Sequence, residues 1–132
     1  MKNYKSIRVL FVQAVILLST LTCFGQEATS EQLVGKWIKQ MNDITVIFTI
    51  SAELTYEVEF AGDEKADVWG SCKVAGTRVT FNDEGGEYAA DVPGVYEFKR
   101  ENDSLMLKKV NDPVGGRSML VEGSWVASGD EE

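Results

Sequence analysis

Residues 33–50 read LVGKWIKQMNDITVIFTI, two alternating apolar segments separated by Asn42-Asp43. Asn and Asp tolerate left-handed backbone and bond to their own main chain, so a two-residue hairpin loop is expected at this pair. Such a loop sets the register: Met41 opposite Ile44, Trp37 opposite Phe48 and Gly35 opposite Ile50. Trp37, Val46, Phe48 and Ile50 then share one face. A slip of one residue would turn that whole set toward water, so the pattern strongly specifies the pairing.

The same reasoning runs along the chain. Every Asn beyond residue 25 precedes an Asp: Asn42-Asp43, Asn82-Asp83, Asn102-Asp103 and Asn111-Asp112. Each pair marks a turn. Asn102-Asp103-Ser104 also spells a bare glycosylation sequon, which the turn explains better. A loop at 51–53 puts Phe48 opposite Tyr56 and Val46 opposite Val58. A loop at 75–76 pairs Cys72 with Val79 and Gly70 with Phe81, and Asn102-Asp103 pairs Phe98 with Leu107.

Eight strands result, at roughly 33–41, 44–50, 54–60, 67–74, 77–83, 95–101, 104–110 and 117–126. A short helical turn at TSEQL, capped by Ser30, precedes them. Two details fit less well: Lys39 falls among inward positions, and Lys73 faces Arg78. Sequential tight hairpins with one apolar face predict an all-β fold, an eight-stranded antiparallel up-and-down barrel.

The loops sort into two ends. Loops 51–53, 75–76 and 102–103 are short and should close the barrel. Loops 42–43, 61–66, 84–94 and 111–116 are mostly longer and should form its mouth. Asp43, Asp63, Glu64, Asp83, Glu84, Glu87, Asp91 and Asp112 make that mouth acidic against Lys65. These are expected to be solvated turn residues whose field favours cationic or neutral ligands over fatty-acid anions. Calcium among Asp83, Glu84, Glu87 and Asp91 lacks EF-hand spacing, so no metal site is expected. Segment 84–94, EGGEYAADVPG, could act as a lid.

The N-terminus reads as a leader rather than as part of the fold. Lys2, Lys5 and Arg8 precede the apolar run VLFVQAVILLSTLTCF, which is short for a membrane span, and a small-x-small site follows before Gln26. Residues 1–25 are therefore expected to be a cleaved signal peptide and 26–132 a single domain, secreted or periplasmic. Lipid attachment at Cys23 is the less favoured alternative, because Thr20, Leu21 and Thr22 match a lipobox poorly. The leader removes three of the 13 basic residues and none of the 21 acidic ones, so the net charge moves from −8 to −11. Nucleic acid and anionic lipid are excluded as partners, since both are held by Lys and Arg. Cys72 is then the only cysteine, and a buried apolar role is expected for it.

Gly35-Lys36-Trp37, placed after a helical turn at the closed end, resembles the lipocalin-like (calycin) barrels. Gly123-Ser124-Trp125 repeats the pattern near the last strand. The resemblance implies that Trp37 packs across the barrel floor beneath a basic residue from late in the last strand. Residues 122–126, EGSWV, supply no such residue, and Arg117 lies too near the mouth. The resemblance also implies uptake of a small hydrophobic molecule.

No catalytic centre is legible. The chain has no His, and so lacks the usual general base and metal ligand. Glu57 and Glu59 share an outward face, unsuited to paired-carboxylate chemistry. Neither an enzyme nor a cofactor is expected. The candidate binding residues are Trp37 at the floor, the aromatics Phe48, Tyr56, Phe60, Phe81, Tyr96 and Phe98, and Lys109 and Arg117 at the rim. The alternative is a barrel filled by those aromatics that serves as a structural or interaction module of the cell envelope. Ile38, Ile47 and Trp69, all outward, are candidates for a protein contact or self-association. A cavity well below about 300 Å³ would leave no ordinary ligand pocket.

Overall fold

The structure, a computed structural model, describes residues 29–60, 62 and 64–129. The expected signal segment, with Cys23, and Asp63 of the mouth lie outside the described residues. A 3-10 turn, Ser30–Leu33, leads into eight strands. These are β1 (Gly35–Met41), β2 (Ile44–Ile50), β3 (Thr55–Glu59), β4 (Val68–Ala75), β5 (Arg78–Gly85), β6 (Gly94–Glu101), β7 (Ser104–Asn111) and β8 (Gly123–Ala127). Each pairs antiparallel with its sequence neighbour, and β1 with β8, so the sheet closes into a barrel. One helix, α1 (Gly115–Val121), stands between β7 and β8.

The Asn-Asp hairpins form as their chemistry requires. Asn42 and Asn102 both adopt φ 56, and the pairs Met41–Ile44, Trp37–Phe48 and Phe98–Leu107 are those expected. Two other turns differ. Leu54 takes the left-handed conformation (φ 66), which moves the loop on by one residue and sets Phe48 opposite Val58 and Ile50 opposite Tyr56. Gly76 (φ 62) does the same for the next hairpin, so Cys72 meets Phe81 and Lys73 meets Thr80 rather than Arg78. Both shifts move the pairing by two positions. The pleat repeats every two residues, so each side chain keeps its face.

Two expectations fail. Asn82-Asp83 is no turn but lies inside β5. Residues 117–121, expected as the start of the last strand, are helical, and β8 begins at Gly123. Arg117, Leu120 and Val121 stand at the i, i+3, i+4 spacing that shares one helix face, while Met119 on the other side is exposed. One turn of apolar periodicity is too short to read as a helix in sequence. The helix starts on two glycines without a side-chain cap, so tertiary contacts must hold it.

The interior is a tight aromatic cluster. Phe48 meets Tyr56, Phe81 and Trp125 at centroid distances of 5.8, 5.4 and 5.3 Å. Phe81 also meets Tyr96 at 5.8 Å. Full burial of rings this size contributes about 1.5–3 kcal/mol each from apolar area alone.

Trp37 and Trp125 are set in matching ways. Each follows a glycine two residues earlier at positive φ, Gly35 (φ 148) and Gly123 (φ 125). Each indole N–H donates 2.9 Å to the carbonyl four residues back, Leu33 and Val121 respectively. Each ring carries a cation over its face: Arg100 lies 5.0 Å from Trp37 and Lys39 4.6 Å from Trp125. The cover over Trp37 therefore comes from β6, where no reading of the last strand would find it. Thr29, not Ser30, is the N-cap of the 3-10 turn beneath it, its N–H donating to Gln32 Oε1 at 3.4 Å. Lys39 is inward because its Nζ donates to the carbonyls of Leu120 (2.6 Å) and Glu122 (2.8 Å), which close the C-terminal end of α1. A cation is favoured there by the free carbonyls and the helix dipole.

Candidate functional site

Between the mouth halves of β2–β5 and helix α1 lies a cavity of about 420 Å³. The sheet contributes Phe48, Tyr56, Val58, Val68, Phe81 and Asp83, and Phe60 follows β3. Tyr88, from loop 86–93, meets Phe60 in a tilted ring contact at 5.1 Å. Helix α1 adds Gly116, Arg117, Leu120 and Val121, with Val114 just before it. The lining is thus apolar except for one polar wall made by Tyr56, Asp83 and Arg117.

That wall is an ion-paired network. Arg117 donates Nε to Asp112 Oδ2 (2.8 Å) and one NH2 hydrogen to Asp112 Oδ1 (2.9 Å), a bidentate fork. NH1 donates to Asp83 Oδ2 at 3.2 Å, and NH2 also to the Val92 carbonyl at 2.7 Å. Tyr56 donates its hydroxyl to Asp83 Oδ1 at 2.6 Å, and Tyr96 donates to Asp112 Oδ2 at 2.5 Å. The Ala90 and Val114 N–H groups complete the two carboxylates. Side-chain exposure is 9% for Arg117, 3% for Asp83 and 0% for Asp112. Two of the mouth acids are therefore not solvated turn residues, as the sequence suggested, but buried partners of one arginine. Among the described residues no buried side-chain nitrogen or oxygen lacks a hydrogen-bond partner.

The network shifts its members' proton affinities. Burial pushes the Tyr56 and Tyr96 hydroxyls upward, and donation to Asp83 and Asp112 adds to this. For Asp112 burial is the largest influence and works upward, but it is outweighed. Hydrogen bonds from Arg117, Tyr96 and the Val114 N–H, with the guanidinium charge, hold the carboxyl below its ordinary range. Burial would lower Arg117, yet Asp112 and Asp83 raise it. Cys72, opposite Phe81, is pushed up to about 11 by burial.

Backbone packing leaves this wall little room. A methyl group at Gly94 would sit 2.6 Å from Asp112 Oδ2, and one at Gly70 would sit 2.8 Å from the Tyr56 hydroxyl.

Of the residues singled out in sequence, Phe48, Tyr56, Phe60, Phe81 and Arg117 line the cavity. Trp37 lies at the floor and Phe98 near that end, both buried in the core. Tyr96 is buried on Asp112, behind the wall. Lys109 stands opposite Tyr96 but its side chain is exposed, so it is no part of the lining. Asp83, Tyr88 and the apolar residues of α1 were missed. Asp83 sat in a presumed turn, and the helix was not foreseen. The sequence signal for the network was Arg117, one of the few cations, with Lys65 and Lys109, among the acids of the mouth.

Other surface features are less concave or less joined. A wider hollow of about 830 Å³ on the outside of β6 and β7 is bordered by charged groups such as Lys99, Glu101 and Lys108, with Lys99 and Glu101 already paired at 3.3 Å. Ile38 and Ile47 are cross-strand neighbours, and exposed Val126 extends them. Trp69 does not join this stripe: it pairs with Glu57, and its ring covers Gly85. Among the described residues, no group of three or more Cys, Asp or Glu is placed to hold a metal ion, and no helix is long and apolar enough to cross a membrane. Compared with protein-family models, curated proteins and solved structures, the chain matches none.

Proposed function

We propose that this chain is an exported, non-enzymatic, lipocalin-like barrel that holds one small hydrophobic molecule between β2–β5 and α1. The cavity carries this reading. At about 420 Å³ it lies above the roughly 300 Å³ at which ordinary ligand sites begin, and few polar groups interrupt its apolar lining. The floor supports the resemblance: a Gly-x-Trp indole lies across it under a basic residue, here Arg100 from β6. A filled barrel acting as an interaction module is the weaker reading, because the aromatic cluster stops short of the space under α1. A non-enzymatic role fits the polar wall, whose Arg117, Asp83 and Asp112 side chains are engaged with one another.

The test is native mass spectrometry of protein from its own source, with fluorescence titration of the delipidated protein by N-phenylnaphthylamine. A bound apolar mass, and dye uptake near one per chain that Val58→Phe abolishes while the fold persists, are expected. No bound molecule and no dye uptake would leave the filled-barrel reading in its place. Intact mass should begin at Gln26.

A further inference from the structure

We propose that the cavity selects by charge: its ligand is a hydrophobic molecule with an uncharged or cationic, hydrogen-bond-donating head, an alcohol or an amine, and anions are excluded. This rests on the binding reading above and names the class of molecule that the same site takes.

A lone arginine in a greasy barrel looks like a hook for a carboxylate. Here that role is already filled. Four of the five Arg117 N–H donors go to Asp112, Asp83 and the Val92 carbonyl. The guanidinium is matched by two carboxylates, so the wall keeps an excess negative charge. Asp83 faces the cavity with the same carboxylate, and among the described residues its Oδ1 accepts from Tyr56 alone. A carboxylate oxygen has room for a second donor, and the Tyr56 oxygen, itself donating to Asp83, can also accept. An incoming hydroxyl or ammonium therefore finds acceptors, whereas an incoming carboxylate meets two negative charges and at most one N–H. The exposed acids Glu87 and Asp91, flanking Tyr88 on the loop over the cavity, carry the same sign. The surrounding apolar walls weaken solvent screening, which makes one net charge decisive.

Three probes with the same octyl tail isolate the head group: octylamine, octanol and octanoate, each competing with N-phenylnaphthylamine at about pH 8, where the amine is cationic and the acid anionic. Octylamine and octanol should displace the dye, and octanoate should be weaker than octylamine by roughly tenfold or more, the effect of one close charge in a partly shielded site. Asp83→Asn removes the excess charge. It should narrow the octylamine–octanoate gap, since the charge that separates the two head groups is gone. Dye uptake with octanoate competing as well as octylamine overturns the charge selection and leaves the binding reading standing. A folded wild-type barrel that takes up neither the dye nor any octyl probe overturns both. Should Asp83→Asn fail to fold, the wild-type series decides alone.

Discussion

Replacing Arg117 by Met keeps most of the side chain's length and removes its charge. The parent arginine is 9% exposed and holds Asp112, 0% exposed, through a bidentate fork, with Asp83 at 3.2 Å. Removing one partner of a buried ion pair strands the other in a medium that solvates it poorly, at a cost of about 3–5 kcal/mol. A domain of this length is stable by about 5–15 kcal/mol. In urea, with a slope of about 2 kcal/mol per molar, the midpoint should fall by about 2 M.

The pH dependence separates this cause from lost packing. In the parent, Asp112 is held below its ordinary range. Its contribution is complete above about pH 4 and is lost as pH falls through the depressed value. In Arg117→Met the guanidinium is gone and burial, the largest influence on Asp112, acts upward. The variant should therefore gain stability on acidification from neutral pH toward about pH 5, while the parent stays level. Urea midpoints at a series of pH values measure both slopes. A loss below about 1 kcal/mol, or a variant profile parallel to the parent's, would show that water already solvates these carboxylates.

Gly94→Ala places a methyl 2.6 Å from Asp112 Oδ2. It should cost about 1–3 kcal/mol by thermal or urea unfolding, since that carboxylate is fixed by Arg117 and Tyr96 and cannot swing aside without breaking their bonds. Phe48→Ala empties the centre of the aromatic cluster and should cost about 3–5 kcal/mol in the same assay. The Cys72 thiol, pushed up to about 11, should not react with a disulfide reagent at neutral pH until denaturant opens the barrel, because only the thiolate attacks. Rapid native labelling would place it outside the core. Lys39→Met leaves the last carbonyls of α1 without their cation. It should raise amide exchange in residues 115–121 with little effect on the strands.

The strands and their faces were legible because the information is local. Asn42-Asp43 and Asn102-Asp103 can adopt left-handed backbone wherever they stand, and alternation on either side names the buried face. Even where Leu54 and Gly76 moved a turn, the side chains stayed on the expected sides, since a two-residue shift preserves the pleat. Apolar Phe48, Tyr56, Phe60 and Phe81 were readable as interior for the same reason.

The polar wall was not readable in this way. Arg117 meets Asp112 five residues away but Asp83 thirty-four away, and nothing local at Asn82-Asp83 announces that a turn-forming pair will run as strand with its acid inward. Helix α1 has no cap and one turn of periodicity. It exists because Lys39 on β1 holds its end and Arg117 anchors its side to β5 and the start of its own loop. Alternation and turn chemistry thus determined the hairpins, the buried faces and the barrel class. Only closure of the barrel decided where α1 settles, which acids lose their water, and that the arginine is spent on them, because those outcomes depend on charges and carbonyls brought together from distant parts of the chain.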